Sequence, residues 1–442
     1  MHGWSRLKAA QDRHEIAMKI LLIGSGGREH ALAWKIAQSP LLDQLIAAPG
    51  SAAIAAHAEC VDIAVSDLDA LVALAVERAV DLVVVGPENP LCDGLADRLI
   101  AAGIDCFGPS KGAAMLETSK AFAKDFYARH NVPTARYGVF DDAAKAKAFL
   151  DGFEPPYVLK ADGLAAGKGV VIPETRKEAE AEIDAFLSGK FGDASRTLVI
   201  EEFMRGEEVS IFALCDGETV MFCGAAQDHK RVGEGDTGPN TGGMGAYSPA
   251  PIATPALVKT VMDTIIAPTA AGLAAEGTPF RGVLFAGIMV TAEGPKTVEF
   301  NIRFGDPECQ VLMMRMASDI LPYLRDAARG ELAGMTPLEW SSEPAITVVM
   351  AAKGYPGDYA KGSVIKGVDA ANAMDGVEVF EAGTGRNAAG ERTAAGGRVL
   401  NVTATGDTLY DAADRAYSAI ELIDWPEGFC RHDIAWRALR TH

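Results

Sequence analysis

Short apolar runs alternate with amphipathic stretches over residues 19–109, the first quarter of the chain. The runs predict four strands, and the stretches between them predict three helices. Strands that alternate with helices pair in parallel through right-handed crossovers, so this part is predicted to be a doubly wound α/β domain. Its functional loops should be residues 24–28 and 86–91, at the carboxyl ends of strands. The strands are predicted at residues 20–23, 44–47, 82–85 and 105–107, and the helices at residues 31–38, 68–79 and 91–102.

Beyond Thr118 the pattern changes to apolar runs separated by glycine. A helix is predicted at residues 120–131, and the runs after it predict strands joined by hairpins, which is an α+β arrangement. A proline-containing break near residues 335–344 leads to a small final α+β unit. The strands are predicted at residues 157–161, 169–172, 197–200, 209–214, 219–224, 282–291, 297–302, 346–351, 377–381 and 398–403, and the remaining helices at residues 176–187, 255–275 and 409–423.

The length of the chain agrees with this division, since 442 residues suggest about three domains. The pattern predicts an N-terminal α/β domain at residues 18–119, a central domain at residues 120–340 and a C-terminal α+β domain at residues 341–442. Residues 1–17 are polar and precede the first apolar run. We interpret them as a disordered extension, with Met18 as the functional start.

Acidic residues outnumber basic residues, 60 to 41, which gives a formal net charge of −19. Such a surface repels phosphate backbones and anionic lipids, so no nucleic-acid or membrane partner is expected. The apolar runs are too short to predict a transmembrane helix. The seven cysteines are scattered, odd in number and form no CxxC pair, which favours free thiols in a reducing cytoplasm over disulfides or a zinc site.

A glycine cluster at residues 24–30 stands between a predicted strand and a predicted helix. Amides freed by glycine at a helix N-terminus bind anions, so Gly26 and Gly27 predict a phosphate site with Arg28 as its countercharge. A dinucleotide fingerprint fits poorly, because its third glycine would fall at Glu29 and its acidic residue is missing after the next strand. A tight structural turn remains the alternative.

A second glycine-rich segment, residues 160–169, has a superficial likeness to a Walker loop. Gly169 stands where that loop needs serine or threonine, and both flanks are strand-like. We therefore predict a flexible hairpin that covers a triphosphate, with Lys160 and Lys168 neutralising its charge.

Residues 298–308 carry the strongest chemical pattern. A period of two places Glu299, Asn301 and Arg303 on one strand face, opposite three apolar side chains. A carboxylate, an amide oxygen and a guanidinium in this order suit Mg²⁺ on a polyphosphate, with the arginine holding an anion. The polar outer face of an edge strand is the alternative.

Two further segments are weaker signals. Residues 199–208 end an apolar strand in carboxylates and a glycine, which suits a hinge that binds adenine and ribose but is more often a solvated acidic turn. Residues 227–247 form a long, charged and glycine-rich loop, which is uncommon in a compact domain unless it is functional. We interpret His229 within it as a structural histidine without an acid–base role.

Five segments together resemble the glycinamide ribonucleotide synthetases, or phosphoribosylamine–glycine ligases, of the ATP-grasp superfamily. They read MKILLIGSGGREHALAWK, VGPENPL, KADGLAAGKGV, QDHKR with DTGPNTGGMGAYSP, and VEFNIRFGDPE, in order across the first two predicted domains. The resemblance implies an ATP-grasp body at residues 120–340, with a mobile lid subdomain at about residues 137–205. It also implies ATP-dependent joining of glycine to 5-phosphoribosylamine through a glycyl phosphate, a step of de novo purine biosynthesis.

Residue roles follow from this resemblance, position by position. Arg303 and Asp228 would grip the carboxylate and amino ends of glycine and, with Lys168, are the expected catalytic residues. Glu299 and Asn301 would bind Mg²⁺ or Mn²⁺, although the preceding strand lacks the further metal carboxylate that many ATP-grasp enzymes carry. The expected ATP contacts are Lys120, Lys160, Gly163, Ala166, Gly167, Lys168, Gly169, Glu201, Glu202, Phe203 and Glu208, of which Glu201, Phe203 and Glu208 would hold adenine and ribose. The expected substrate contacts are Gly26, Gly27, Arg28, Glu29, Pro87, Glu88, Asp228, Lys230, Arg231, Asn240, Gly243 and Arg303.

The resemblance implies a cytoplasmic enzyme, expected to be a monomer, that takes glycine and 5-phosphoribosylamine as small-molecule substrates and ATP as co-substrate. Three alternatives stay open. Another purine ATP-grasp ligase, using formate or bicarbonate, would share the nucleotide machinery but should lack the QDHKR and GPNTGGMGAY segments. A nicotinamide-dependent dehydrogenase is disfavoured by the missing third glycine and ribose acid. A non-catalytic nucleotide-binding module is disfavoured because every charged part of a ligase site is present.

Overall fold

The computed structural model describes residues 17–163, 169–190, 192 and 196–440 of the 442-residue chain. Within these ranges, three sheets with attached helices are accompanied by two small two-stranded ribbons. The extension predicted at residues 1–17 lies outside them apart from Ala17. The predicted combination of a parallel α/β part with α+β parts is confirmed.

The N-terminal sheet consists of Met18–Gly24 (β1), Leu42–Pro49 (β2), Glu59–Cys60 (β3), Leu82–Val85 (β4) and Asp105–Phe107 (β5). All pairs are parallel, in the order β3-β2-β1-β4-β5. Strand β1 is apolar along most of its length, which suits the centre of a parallel sheet that is buried on both faces. The sequence pattern does not predict β3, because its two residues are exposed and show no apolar run.

Helices cover both faces of this sheet: Gly27–Ile36 (α1), Leu68–Glu77 (α2), Glu88–Cys92 (α3), Leu95–Ala101 (α4) and Lys111–Thr118 (α5). The single helix predicted at residues 91–102 is wrong, because Gly94 takes a left-handed conformation (φ 93°) between α3 and α4. Strand β1 pairs with β2 on one side and β4 on the other. The loops after β1 and β4 therefore border the crevice in which open α/β sheets bind ligands.

Helix Lys120–Arg129 (α6) leads into a four-stranded antiparallel sheet with its own small core. Its strands are Tyr137–Phe140 (β6), Tyr157–Ala161 (β7), Val170–Val171 (β8) and Leu198–Glu202 (β9), in the order β6-β9-β7-β8. Helices Ala143–Phe149 (α7) and Arg176–Leu187 (α8) pack on it through buried residues such as Ile183 and Phe186. A separate core allows this unit, which falls within the range predicted for the lid, to move as one body.

The largest sheet joins the central and C-terminal parts of the chain. Its strands and the two ribbons are, in chain order, Glu207–Asp216 (β10), Val220–Asp228 (β11), the ribbon Arg231–Gly233 (β12) with Thr237–Asn240 (β13), Gly245–Ser248 (β14), Arg281–Thr291 (β15), Gly294–Asn301 (β16), Ala345–Ala352 (β17), Val377–Glu381 (β18), the ribbon Thr384–Arg386 (β19) with Arg392–Ala394 (β20), Arg398–Thr405 (β21) and Gly428–Phe429 (β22). The order is β16-β15-β10-β11-β14-β17-β21-β18, with β22 beside β17. Strand β14 pairs with β11 on one side and β17 on the other, so one sheet continues past residue 340.

The remaining helices are Pro255–Val261 (α9), Ala267–Ala275 (α10), Glu308–Arg315 (α11), Ile320–Arg329 (α12), Val368–Asn372 (α13), Leu409–Glu421 (α14) and Trp436–Leu439 (α15). A π-helical turn, Met262–Ile266, joins α9 and α10 where one α-helix is predicted. By length and composition alone, this helical stretch could cross a membrane. Its Val261, Ile265 and Leu273 side chains are fully buried, so one face of the stretch packs on the protein core.

Candidate active site

Glu29 holds together the two N-terminal loops that border the crevice. Its carboxylate accepts a hydrogen bond from the Gly26 amide at 2.7 Å, which caps the N-terminus of α1. It accepts a second hydrogen bond from Arg28 Nε at 2.6 Å. It also packs against Gly24 and Gly86, where an added Cβ would lie 2.6 and 2.2 Å from atoms of Glu29. The Glu29 carboxylate is therefore occupied by contacts within the protein, and these contacts fix the glycine-rich loop in place.

Arg28 and Glu88 carry opposite charges into the crevice. Arg28 is buried and donates a hydrogen bond to the Phe304 carbonyl at 3.0 Å. Glu88, which follows Pro87 at the start of α3, lies 3.3 Å from Nε of Arg303. Burial raises the pKa of Glu88, but Arg303 and Arg28 outweigh burial and hold that pKa below its usual value. The predicted residues of both loops thus face the end of β16.

At Arg303, three parts of the chain meet. Strand β16 ends at Asn301, so Arg303 lies in the turn beyond the strand, but its Nη2 still lies 3.0 Å from Asn301 Oδ1. The same nitrogen lies 3.1 Å from Oε1 of Glu117, whose Oε2 accepts a hydrogen bond from the Ile302 amide at 2.8 Å. Sequence reasoning missed Glu117, because nothing in the pattern of α5 distinguishes it from a surface acid.

Glu299 is a half-buried carboxylate surrounded by cations. It has no ion pair within 4 Å among the described residues. Burial raises its pKa, but four side chains hold that pKa below its usual value: Lys230, Lys160, Lys120 and Arg303.

A divalent cation fits this position. The Glu299 carboxylate and the neighbouring Asn301 amide oxygen are hard ligands of the kind that Mg²⁺ and Mn²⁺ prefer, and the surplus of positive charge calls for a polyphosphate. Gly287 of β15 pairs with Glu299, so no carboxylate stands at that neighbouring position. Within the part of the chain that the structure describes, no group of three His, Cys, Asp or Glu side chains could hold a metal by itself.

Lys120 and Lys160 approach this place from α6 and β7. Lys120 Nζ donates a hydrogen bond to the Gly163 carbonyl at 3.2 Å. Lys160 is buried, and its ammonium group lies 3.0 Å from Oε1 of Glu201. The Gly169 carbonyl accepts a hydrogen bond from the end of β7 at 2.8 Å, which closes the base of the predicted hairpin. Ala166, Gly167 and Lys168 lie outside the described residues.

Strand β9 carries the residues that the resemblance assigns to adenine and ribose. The Glu201 carboxylate is buried and occupied by lysines, so it is not free to bind ribose hydroxyls. Glu202 turns towards Arg136, with 2.7 Å between Oε2 and Nε. Phe203 is 36% exposed and lines, together with Glu202 and Arg136, a cavity of about 290 Å³. Of these side chains, Phe203 is the one that remains accessible to a ring.

Asp228, Lys230 and Glu208 form a charged group at the end of β11. Lys230 is ion-paired with Glu208. Desolvation raises the pKa of Asp228 to about 7, and Lys230 offsets this only in part. Burial also raises the pKa of Glu308 at the start of α11, and its carboxylate accepts a hydrogen bond from Ser210 Oγ at 3.3 Å. Burial therefore favours the protonated form of both carboxyls, and a further cation beside Asp228 would favour its ionised form.

His229 fastens the end of β11 to the C-terminal part of the chain. Its Nε2 accepts a hydrogen bond from the Ala435 amide at 2.9 Å, and its Nδ1 lies 3.5 Å from Asp236 Oδ1. A ring that accepts through Nε2 carries its proton on Nδ1, so the imidazole is neutral. This arrangement agrees with the structural role predicted for His229.

Arg231, Asn240 and Gly243 follow in the glycine-rich segment. Arg231 pairs with Asn240 in the β12–β13 ribbon and donates a hydrogen bond to the Gly238 carbonyl at 2.7 Å, so its guanidinium is engaged within the ribbon. Gly243 has a φ of 114°, and an added Cβ would lie 2.5 Å from Pro307. Glycine at this position lets the segment approach the turn that follows Arg303.

Two side chains of β21, both missed by sequence reasoning, reach the crevice from the C-terminal part. Arg398 donates hydrogen bonds to the carbonyls of Gly242 (2.7 Å) and Asp306 (2.6 Å). The Asn401 amide packs against Gly27, where an added Cβ would lie 2.3 Å from Nδ2. Their positions are about 370 residues from the glycine cluster and more than 90 from β16, and no local signal links them to the site.

Family models match three consecutive parts of the chain: the N domain of phosphoribosylglycinamide synthetase at residues 18–117, its ATP-grasp (A) domain at residues 118–309 and its C domain at residues 345–437. A phosphoribosylamine–glycine ligase of Mesorhizobium japonicum is 58% identical over 422 residues, which cover 96% of this chain and 99% of the relative. The crystal structure of a phosphoribosylamine–glycine ligase of Thermotoga maritima superposes with a TM-score of 0.82 at 30% identity, over 94% of this chain and 100% of that chain. The biotin carboxylase domain of a Hydrogenobacter thermophilus 2-oxoglutarate carboxylase shares the fold at 18% identity, with a TM-score of 0.72 over 94% of this chain and 92% of that chain.

Proposed function

Since the chain belongs to the phosphoribosylglycinamide synthetase family, we propose how its residues divide the work of the reaction. The enzyme joins glycine to 5-phosphoribosylamine in purine biosynthesis, and it converts ATP to ADP and phosphate as it does so. The proposal concerns the intermediate, the residues, the metal and the limits of the domains, which we place at residues 18–119, 120–340 and 341–442.

The first step forms glycyl phosphate. A carboxylate oxygen of glycine attacks the γ-phosphorus of ATP, a new P–O bond forms, the bond to the bridging oxygen breaks and ADP leaves. Because two anions must approach each other, the ammonium groups of Lys120 and Lys160 are assigned to the triphosphate. Glu299 and Asn301 would hold Mg²⁺ or Mn²⁺, which when bound neutralises phosphate charge and fixes the phosphate geometry.

The second step joins the two substrates. The amine of phosphoribosylamine attacks the glycyl carbonyl carbon, a C–N bond forms, the C–O bond to phosphate breaks and the nitrogen passes a proton to the departing phosphate. Asp228 is assigned to the amino end of glycine, and Arg303 to its carboxylate end. Arg28 and the amide of Gly27 face the phosphate of phosphoribosylamine from the N-terminal domain.

The position of Arg303 is the single observation that carries these assignments. Its guanidinium lies within 3.3 Å of both Glu88 of the N-terminal domain and Asn301 of the metal strand. A glycine carboxylate at Arg303 would therefore lie between the N-terminal loops at residues 24–28 and 86–91, assigned to phosphoribosylamine, and the triphosphate site, as both steps require. An acyl phosphate also reacts with water, which explains a lid built from β6–β9 that closes during turnover.

The proposal includes a monomer in the cytoplasm. Every residue assigned above comes from one chain, so no partner subunit is needed to complete the site. All seven cysteines are free thiols, which suits a reducing compartment.

Release of ADP tests the proposal when ATP, Mg²⁺, glycine and phosphoribosylamine are omitted one at a time. We expect ADP to form only when ATP, metal and glycine are present together. A small burst of ADP without phosphoribosylamine would report glycyl phosphate. Release of ADP that ignores glycine would contradict the assigned order of steps.

A further inference from the structure

A buried charge triad lies beneath the nucleotide site, and one of its members has no role in the mechanism above. Lys124 of α6 and Lys160 of β7 both approach Oε1 of Glu201, at 3.2 and 3.0 Å. All three side chains are nearly inaccessible, with exposures of 3%, 7% and 3%. Lys124 thus shares its carboxylate partner with a residue assigned to ATP.

The triad holds one more positive charge than negative charge. Burying an unpaired charge is costly, so the surplus favours an additional anion at this place. The Glu299 carboxylate attracts both lysines electrostatically from a greater distance. It does not neutralise the surplus charge, because it interacts with Lys120 and Lys230 as well. The surplus therefore suits a triphosphate that arrives with its own negative charge.

Lys124 is anchored in a way that Lys160 is not. Its Nζ donates a hydrogen bond to Thr134 Oγ1 at 2.7 Å, and that hydroxyl donates to the Thr297 carbonyl of β16 at 2.8 Å. Strand β16 also carries Glu299. Lys124 is therefore tied to the body of the central domain, whereas Lys160 belongs to the separate β6–β9 sheet.

We propose that Lys124 is a positioning residue that neutralises Glu201 while Lys160 turns from Glu201 to the phosphates of ATP. The inference rests on the proposed function, in which Lys160 binds ATP. When Lys160 moves to the triphosphate, Glu201 keeps one ammonium partner and does not become a lone buried anion. Without that second ammonium group, Lys160 stays bound to Glu201 and the nucleotide loses its ligand.

The charge of Lys124 depends on pH near neutrality, which gives the inference a distinct signature. Burial lowers its pKa to about 8, while Glu201 of β9 and Glu299 of β16 favour the charged form and Lys160 of β7 opposes it. Two further titratable neighbours are the rings of Tyr127 on its own helix and Tyr137 on β6, each 5.8 Å from the ammonium group. Lys124 should lose its charge above pH 8.

The test is binding of a non-hydrolysable ATP analogue with Mg²⁺, measured by calorimetry between pH 7 and pH 9. If only the protonated form of Lys124 binds well, the dissociation constant of the wild type should rise about tenfold over this range. Lys124→Met should weaken binding at least about tenfold at pH 7 and show no further pH dependence. Lys124→Arg keeps its charge, so it should bind well at both pH values.

Three variants separate this inference from simpler explanations. Lys147→Met removes a lid lysine that pairs with exposed Asp184, and it should show the wild-type profile. Lys124→Met with Glu201→Gln should recover most of the affinity, because no buried anion then holds Lys160. The inference would be overturned if the affinity of Lys124→Arg for the analogue fell between pH 7 and pH 9 as that of the wild type does. It would also be overturned if the double variant bound the analogue as weakly as Lys124→Met.

Lys160→Met distinguishes failure of the inference from failure of the proposed function. If this variant binds the analogue as the wild type does, the ATP role of Lys160 is wrong, and the role of Lys124 is wrong with it. If Lys160→Met weakens binding and Lys124→Met leaves it unchanged, only the inference about Lys124 is wrong. Should Lys124→Met fail to fold, the pH profile of Lys124→Arg decides alone.

Discussion

Glu117 and Arg303 form an ion pair across the join between the N-terminal and central domains, with 3.1 Å between Oε1 and Nη2. The Glu117 side chain is 9% exposed. Its other oxygen accepts a hydrogen bond from the Ile302 amide, so one carboxylate fixes both the guanidinium and the backbone that carries it. The orientation of Arg303 towards the crevice therefore depends on a residue of the preceding domain.

Replacing Glu117 by glutamine should impair glycine use. Arg303 keeps Glu88 and Asn301 but loses its charged anchor, so we expect kcat/KM for glycine to fall about 10- to 100-fold, or about 1.4–2.7 kcal/mol. Most of the change should appear in the KM for glycine, with the KM for ATP nearly unchanged. Glu339→Gln, at an exposed position, is the matched control. Unchanged glycine kinetics in Glu117→Gln would contradict the positioning role.

Glu299→Ala should abolish formation of ADP while the protein stays folded. The alanine variant removes the proposed metal carboxylate and leaves four cationic side chains without it. Circular dichroism and the melting temperature check the fold, and ADP release over a range of Mg²⁺ and Mn²⁺ concentrations checks the activity. Near-normal turnover would remove the metal assignment.

Asp228→Asn should stabilise the protein above pH 7 even though it damages catalysis. The pKa of Asp228 is raised to about 7 in the folded state, against about 3.9 when unfolded. Folding therefore favours the protonated form, and stability is lost as the pH rises from about 4 to about 7. Asparagine cannot ionise and removes this loss.

Melting temperatures at pH 5 and pH 8 measure the Asp228 effect. The melting temperature of the variant should exceed that of the wild type at pH 8, and the difference should be smaller at pH 5. A variant that is less stable than the wild type at pH 8 would show that the carboxylate is stabilising, contrary to this account.

Gly27→Ala should loosen the C-terminal part of the chain from the glycine cluster at residues 24–30. The added methyl group would lie 2.3 Å from Asn401 Nδ2 and 2.8 Å from Gln310 Nε2, both buried side chains. Overpacking of this kind costs about 1–3 kcal/mol, and the KM for phosphoribosylamine should rise with it. Gly334→Ala, where an added Cβ meets nothing within 4 Å, is the control and should leave both quantities unchanged.

Local pattern accounts for much of the fold and for the polar face of β16. Strand β18 lies at the predicted residues 377–381, because an apolar alternation bounded by turns determines a strand locally. The spacing of Asn301 and Arg303 likewise brings their side chains together without tertiary information.

Other parts of the site depend on tertiary contacts. Glu29 and Glu201 have the right chemistry for ligand binding, but capping of a helix and pairing with two lysines occupy their carboxylates. Glu117 and Asn401 have no local signal, because their partners lie far away in the chain. Chemical type can thus be predicted from sequence, whereas the availability of a side chain is decided by its neighbours in space.

The continuity of the largest sheet has a consequence for how the protein is made. Strand β14 has only four residues, and its partner on one side, β17, is synthesised about 100 residues later. A chain released near residue 340 would leave β14 as an open sheet edge, although all four of its residues are buried in the complete protein. An exposed edge strand of this kind pairs readily with another copy of the chain. Residues 1–340 should therefore aggregate when expressed alone, and during translation this part of the chain should reach its final form only after β17 has left the ribosome.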